Sequence, residues 1–264
     1  MTISNDTRTR VKAVGEPIAL FLGRLGLTPD ALTLIGFGIT AVGAILLWNQ
    51  LWIAGGLVVF AGGVFDMFDG TLARATGRAT RLGAFMDSVF DRWGEALVYV
   101  GLVAGLAIAG WADGPVVAAA AMASAFLVSY ARAKAEGLGF SAGTGMAAVG
   151  LMPREVRLVI LCGGLVLGGL LGTEVVTVGQ GAGGGAIPVG ILVIEGALAI
   201  IALGATVTVA QRVLHTRAEA RRQARADARD AGAGAISAAP PQATPAAPPA
   251  TRPTTTTEGP DHTS

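Results

Sequence analysis

Asp66-Met-Phe-Asp69-Gly70-Thr-Leu-Ala73-Arg74 and, after eight intervening residues, Gly83-Ala-Phe-Met-Asp87-Ser-Val-Phe-Asp91 place four carboxylates in an otherwise apolar part of the chain. Asp66 and Asp69 are three residues apart and Asp87 and Asp91 four apart, so each pair shares one face of a helix. One charged side chain at the centre of a bilayer helix costs roughly 2.5–3.5 kcal/mol on insertion scales. Four acids placed close together also repel one another. Something cationic has to offset both costs, and a pair of divalent metal ions is the simplest candidate.

The sequence around that stretch sets the fold class. Of 264 residues, 52% are hydrophobic and 14% charged, and the mean hydropathy is +0.61. That profile belongs to a polytopic membrane protein and not to a soluble domain. Apolar runs predict six membrane-spanning helices at roughly 29–49, 51–76, 83–110, 114–136, 155–172 and 187–213. Each is close to the ~20 residues needed to cross a ~30 Å hydrocarbon core. Ahead of them, residues 10–25 alternate apolar and basic at helical spacing, which predicts an amphipathic helix lying on the membrane surface.

The expected class is therefore all-α, with an N-terminal segment 1–28, a six-helix domain 29–215 and a cytoplasmic tail 216–264. The tail is Arg/Ala/Asp-rich to residue 230, which can extend the sixth helix. From about residue 231 it is Ala, Pro, Thr and Gly with almost no large apolar side chain, a composition that predicts disorder. The first ten residues are polar, so no cleavable signal peptide is expected. The single cysteine, Cys162, excludes an intramolecular disulfide and reads as a small packed residue. Gly181-Ala-Gly-Gly-Gly185 follows no strand in this reading and is expected to be a flexible outer loop with no nucleotide role.

Lysines and arginines give the orientation. With six spans, the N-terminus, the second and fourth connections and the C-terminus share one side. Arg8, Arg10, Lys12, Arg24, Arg74, Arg78, Arg81, Arg132, Lys134, Arg154, Arg157 and Arg212 all fall there. The opposite connections, near Asn49, near Asp113 and over 173–187, contain neither Lys nor Arg. The positive-inside rule then puts both termini in the cytoplasm. Trp48, Trp52 and Trp111 cluster at the outer connections, as an aromatic belt would.

Depth brings the acids together. Asp66 lies about 22 Å along a helix that starts outside near Leu51, at 1.5 Å per residue. Asp87 and Asp91 lie in the first turns of a helix that starts inside near Gly83. Both pairs reach the same cytoplasmic-side depth and form an oxygen-rich site suited to Mg²⁺ or Mn²⁺. Two such ions can clamp a diphosphate. Gly70 and Ala73 keep the neighbouring surface small, and Arg74 stands where it could contact phosphate.

The string D-x2-D-G-x2-A-R-x8-G-x3-D-x3-D is complete from Asp66 to Asp91. It resembles the signature of the CDP-alcohol phosphotransferases, integral membrane enzymes of phospholipid synthesis, whose six-helix architecture matches residues 10 to about 215. The resemblance implies that an alcohol attacks the lipid-bearing phosphorus of a CDP-linked lipid, usually CDP-diacylglycerol, and releases CMP. It implies two metal ions held by Asp66, Asp69, Asp87 and Asp91, with Asp91 as general base. It assigns Gly70, Arg74 and Thr80 to the nucleotide and its phosphates, and likens Thr28-Pro29-Asp30-Ala31-Leu32 to the family's nucleotide-side loop. Pro29 also has an ordinary explanation as the first residue of a helix. A homodimer in the plasma membrane, with no nucleic-acid partner, completes the expectation.

The acceptor is read from a second basic set, Arg132, Lys134, Arg154, Arg157 and Arg212, at the inner ends of helices four to six. A cationic cluster beside a metal site predicts an anionic acceptor, although the positive-inside rule alone also supplies cationic loops. Ser129-Tyr130-Ala-Arg132-Ala-Lys134-Ala-Glu136, Pro153-Arg154-Glu-Val-Arg157-Leu158 and Gln211-Arg212-Val-Leu-His215 resemble segments of phosphatidylinositol phosphate synthases. That implies inositol 1-phosphate, with glycerol 3-phosphate as the nearest rival. Glu95, one turn past Asp91, could orient a neighbour or belong to a helix contact. Glu195 and His215 read as structural or interfacial. An ion-coupled transporter is the rival from another class, but transporters favour midplane sites in repeated halves, and no second copy of the motif is present.

Overall fold

The first spanning helix begins where the sequence caps it. Thr28 Oγ1 accepts from Ala31 N at 3.2 Å, and Pro29 occupies the first turn, where its missing N–H goes unneeded. The computed structural model describes residues 16–140, 149–172, 175–178 and 185–237. Residues 16–24 form helix α1. Then come α2 (Pro29–Trp48), α3 (Trp52–Ala75), α4 (Arg81–Ile108), α5 (Gly114–Gly137), α6 (Arg154–Leu171) and α7 (Val189–Ser237). Strands β1 (Val175–Val178) and β2 (Gly185–Pro188) form a short antiparallel hairpin between α6 and α7, with Val175 opposite Pro188.

The six expected helices are present in order, and their ends fall within two residues of those expected, with one exception. Helix α7 runs on to Ser237, so residues 231–237, expected to be disordered, are helical. The Ala-rich sequence after residue 217 explains the extension, because alanine is the strongest helix former. Residues 1–15 and 238–264 lie outside the described residues, as does most of the Gly181–Gly185 run.

By length and composition, α2, α3, α5 and the part of α7 from Val189 to Arg229 can cross a membrane. Helices α4 and α6 have 28 and 18 residues, long enough to cross. Both start with charge, Asp87, Asp91, Arg92 and Glu95 on one and Arg154, Glu155 and Arg157 on the other, which lowers their apolar character. Several of these charged residues meet Asp66 and Asp69 of α3 at the candidate site.

Helix α2 packs against α3 and α4, α3 against α6, and α4 against α5. Small residues make this possible, as expected where lipid removes the hydrophobic drive between helices. A Cβ added at Gly101 would come within 2.3 Å of Ala44 O. One added at Gly190 would come within 2.2 Å of Gly168 O, so α6 and α7 also touch backbone to backbone. Leu47, Val98, Leu102, Leu106, Leu165, Ile194 and Leu198 form the core, with Cys162 buried among them. A second small cluster of Ala19, Leu32 and Leu72 seats α1 against α2 and α3. Ile18, Phe21 and Leu25 stay exposed.

The chain divides into two units, Met1–Ala220 and Arg221–Ser264. All the site residues belong to the first. In the second, the described part is the helix to Ser237.

Candidate active site

Helices α3 and α4 are joined by a tight connection whose chemistry is local. Gly77 has φ +65°, a left-handed conformation that favours glycine. Thr80 Oγ1 then caps α4 by accepting from Gly83 N at 2.9 Å. The result turns the last turns of α3 and the first turns of α4 toward a common point on α2.

Three of the four motif acids meet there. Asp66, Asp69 and Asp87 each bring a carboxylate oxygen within 4.8 Å of the others. Asp69 is the buried member, at 5% exposure. Both of its oxygens are held: Oδ2 accepts from Thr33 Oγ1 at 2.5 Å, and Oδ1 accepts from Gly70 N. Asp91 stands one turn further along α4 and contacts arginine. Its Oδ1 is 2.6 Å from Arg154 Nη1, and its Oδ2 is 3.3 Å from Arg92 Nη1. Arg154 Nη1 also donates to Asp66 Oδ2 at 3.0 Å, so one guanidinium spans Asp66 and Asp91.

These residues fit a divalent cation. Hard carboxylate oxygens from two helices converge, and one carboxylate is set in place by two donors. Asp91 Oδ1 is buried and has no hydrogen-bond partner, since its contact with Arg154 lacks hydrogen-bond geometry. Acids at this separation need cationic compensation, and Arg154 supplies part of it.

Asp69 and Asp87 open onto a cleft whose other walls include Pro29, Asp30, Gly70, Arg74, Thr80 and Gly83. Arg74 folds back over Gly70: a Cβ there would meet Arg74 Nη1 at 3.2 Å. Gly83 faces Asp30, with 3.5 Å from an added Cβ to Asp30 Oδ1. Ala31 and Leu32 do not line the cleft. Ala31 N is engaged by the Thr28 cap, and Leu32 is fully buried against Ala19 and Leu72.

The basic set divides. Arg154 points into the acids. Arg157, 2% exposed, gives Nη2 to Glu95 Oε1 and Oε2 at 2.8 and 3.2 Å, Nε to Oε1 at 3.1 Å, and Nη1 to Met152 O at 3.1 Å. Arg212, 4% exposed, donates to Val149 O at 3.0 Å and to Val128 O. Arg132 pairs with Glu136 at 2.9 Å on a more exposed surface, and Lys134 is exposed. Arg132 and Arg157 are charged neighbours of Arg212. Arg154 and Arg157 also line a second, small cavity with Thr40, Glu95 and Tyr99. On the other side of the protein, Glu195 accepts from Trp111 Nε1 at 2.8 Å, a structural contact.

Two features were not visible to sequence reasoning. Thr33 sits in an apolar run 36 residues before Asp69, and only the fold brings them together. Glu95 is paired with an arginine 62 residues away.

Residues 26–207 match the family described as CDP-alcohol phosphatidyltransferase. A phosphatidylinositol phosphate synthase of Mycobacteroides abscessus is 32% identical over 212 residues, 78% of this chain and 85% of that one. An archaetidylinositol phosphate synthase of Pyrococcus horikoshii is 36% identical over 154 residues, 58% of this chain and 77% of that one. Among solved structures, the Mycobacterium tuberculosis phosphatidylinositol phosphate synthase with CDP-DAG bound aligns with TM-score 0.64 and 27% identity, over 77% of this chain and 94% of that one. The same enzyme in complex with manganese and citrate aligns with TM-score 0.63 and 27% identity, over 76% and 88%.

Proposed function

The chain belongs to the CDP-alcohol phosphatidyltransferase family, and on that premise we propose that it transfers a phosphatidyl group from CDP-diacylglycerol to inositol 1-phosphate, releasing CMP. It is a phosphotransferase of phospholipid synthesis. The observation that carries the finer reading is the convergence of Asp66, Asp69 and Asp87 within 4.8 Å, with Asp69 and Asp87 on the wall of a cleft shared with Arg74 and Thr80. Manganese in the complex of the M. tuberculosis relative, and CDP-DAG in another of its structures, support a metal-dependent reaction on that lipid.

In this reading Asp66, Asp69 and Asp87, with Asp91 beside them, hold two Mg²⁺ or Mn²⁺ ions. Bound there, the ions would supply positive charge to the diphosphate and to the departing CMP. Gly70, Arg74 and Thr80, with Pro29 and Asp30, hold the nucleotide side of the lipid. Ala31 and Leu32 take part through the helix cap and the packing beneath it. Asp91 accepts the proton of the acceptor hydroxyl. The hydroxyl oxygen bonds to the lipid-bearing phosphorus, and the bond from that phosphorus to the bridging diphosphate oxygen breaks. CMP leaves with the electron pair. A positioned base of this kind contributes about 10²–10⁴ in rate. Arg154 receives the anionic acceptor, with Arg132 and Lys134 adding positive charge at the inner helix ends; Arg157 and Arg212, whose guanidiniums are occupied, take part by holding the chain around it.

The protein is a multi-pass membrane protein. The proposal adds six spans, plasma-membrane residence, cytoplasmic termini and active site, and a homodimer. Detergent-purified protein given CDP-diacylglycerol and Mn²⁺ or Mg²⁺ tests the reaction. CMP release with inositol 1-phosphate, abolished by EDTA and restored by metal, is the expected result. Preference for glycerol 3-phosphate would reassign the acceptor, and no release with any alcohol would overturn the enzymatic reading.

A further inference from the structure

Residues 149–152 lead into α6, and side chains of α6 and α7 hold four of their backbone polar groups. Arg212 Nε donates to Val149 O at 3.0 Å. Leu151 N and Met152 N donate to Thr208 Oγ1 at 3.1 and 2.9 Å, and Leu151 N also reaches Gln211 Oε1 at 3.2 Å. Arg157 Nη1 donates to Met152 O at 3.1 Å. Arg154 follows two residues after Met152, at the first position of α6. Arg154 therefore sits between two held positions, Met152 and Arg157.

Glu95 holds Arg157. The carboxylate takes three hydrogen bonds from the Nε and Nη2 groups of a guanidinium that is 2% exposed. Neither charge is tolerable alone in such a place, so each fixes the other. Glu95 lies one turn beyond Asp91 on α4, and Arg157 one turn beyond Arg154 on α6. Asp91–Arg154 and Glu95–Arg157 are thus successive rungs between the same two helices. The first opens on the site, with the Arg154 side chain 36% exposed; the second is sealed.

From this ladder we infer that Glu95 is a positioning residue: through Arg157 it holds the start of α6 so that Arg154 faces Asp66 and Asp91, ready for the acceptor's phosphate. The hydrogen-bond partner of the Glu95 carboxylate is Arg157. The inference rests on the proposed anionic acceptor.

The test compares wild type, Glu95→Gln, Glu95→Asp, Arg154→Ala and the double variant E95Q/R154A, measuring kcat, the KM of inositol 1-phosphate, the KM of CDP-diacylglycerol and the thermal midpoint. Glu95→Gln is expected to raise the acceptor KM at least tenfold while the CDP-lipid KM stays within twofold. Glu95→Asp recovers most of the loss. E95Q/R154A matches Arg154→Ala alone, because the first change acts through the second residue. An acceptor KM that rises with Arg154→Ala and stays at the wild-type value in Glu95→Gln removes the positioning role and spares the proposed acceptor site. An acceptor KM insensitive to Arg154→Ala removes both. Additive effects in the double variant would show a general structural role and overturn the inference. If Glu95→Gln fails to accumulate, E95M/R157M removes both charges together and carries the same test. A raised acceptor KM in a folded protein supports the role, and a wild-type value overturns it.

Discussion

Arg154 Nη1 lies 2.6 Å from Asp91 Oδ1 and 3.0 Å from Asp66 Oδ2, so a single guanidinium bridges carboxylates on two helices. A fixed cation beside metal-ligating acids competes with a bound ion for the same oxygens. The pair is partly open to solvent, so its worth is modest, about 1 kcal/mol. Arg154→Ala is therefore expected to tighten Mn²⁺ binding about fivefold while raising the acceptor KM at least tenfold. Electron paramagnetic resonance titration of Mn²⁺ checks the first effect and initial-rate kinetics the second. Weaker Mn²⁺ binding would mean that Arg154 organises the acids and does not compete for them.

Asp91 differs from the other three acids in lacking a place in their close group and in having a buried oxygen with no hydrogen bond. Its contacts are ion pairs with Arg154 and Arg92, and the base role proposed for it needs its ionised form. Asp91→Asn keeps the shape and removes the basicity. Turnover should fall by about 10²–10⁴, with CDP-lipid binding changed by less than threefold. Equilibrium binding of the lipid and single-turnover CMP release separate the two. Turnover within tenfold of wild type would take the base role from Asp91.

How much of this was legible in the sequence depends on how far apart the partners lie. The acid pairs announce themselves because three- and four-residue spacings decide helix faces, and apolar runs mark every spanning-helix end but the last of α7 to within two residues. Contacts between distant segments carry no such signal. Thr33 looks like any threonine in an apolar helix until Asp69 is seen beside it. Arg157 and Arg212 were grouped with Arg154 because all are cations near one membrane face, yet their guanidiniums are occupied by Glu95 and by backbone carbonyls. The Val175–Val178 strand was read as loop because four β-branched residues beside a glycine run are too short to distinguish.

Thr33 is the residue that fixes Asp69 from the opposite helix, at 2.5 Å. Groups that orient a metal-ligating carboxylate affect metal affinity by about 10–100-fold. Thr33→Val keeps the volume and removes the hydroxyl, so Mn²⁺ affinity should drop by about that factor, and Thr33→Ser should restore it. The thermal midpoint of the metal-free protein reports how far the change is a packing defect. A large fall there with unchanged Mn²⁺ affinity would make Thr33 a core residue and nothing more.

Gly70 is next to Asp69 but its importance lies with Arg74. A methyl group at position 70 would meet Arg74 Nη1 at 3.2 Å, and that atom is the far end of a flexible side chain. The side chain can swing away, so Gly70→Ala should cost little stability; alanine also favours the helix by roughly 1 kcal/mol over glycine. What it displaces is the guanidinium on the wall of the cleft shared with Asp69 and Asp87. The KM for CDP-diacylglycerol should rise about tenfold while the acceptor KM and the thermal midpoint hold or, for the midpoint, increase. Arg74→Lys, which retains charge but loses the planar fork, should give a similar rise. If Gly70→Ala instead unfolds the protein, the glycine is needed for helix packing; if the CDP-lipid KM is unchanged, Arg74 does not contact the nucleotide's phosphates.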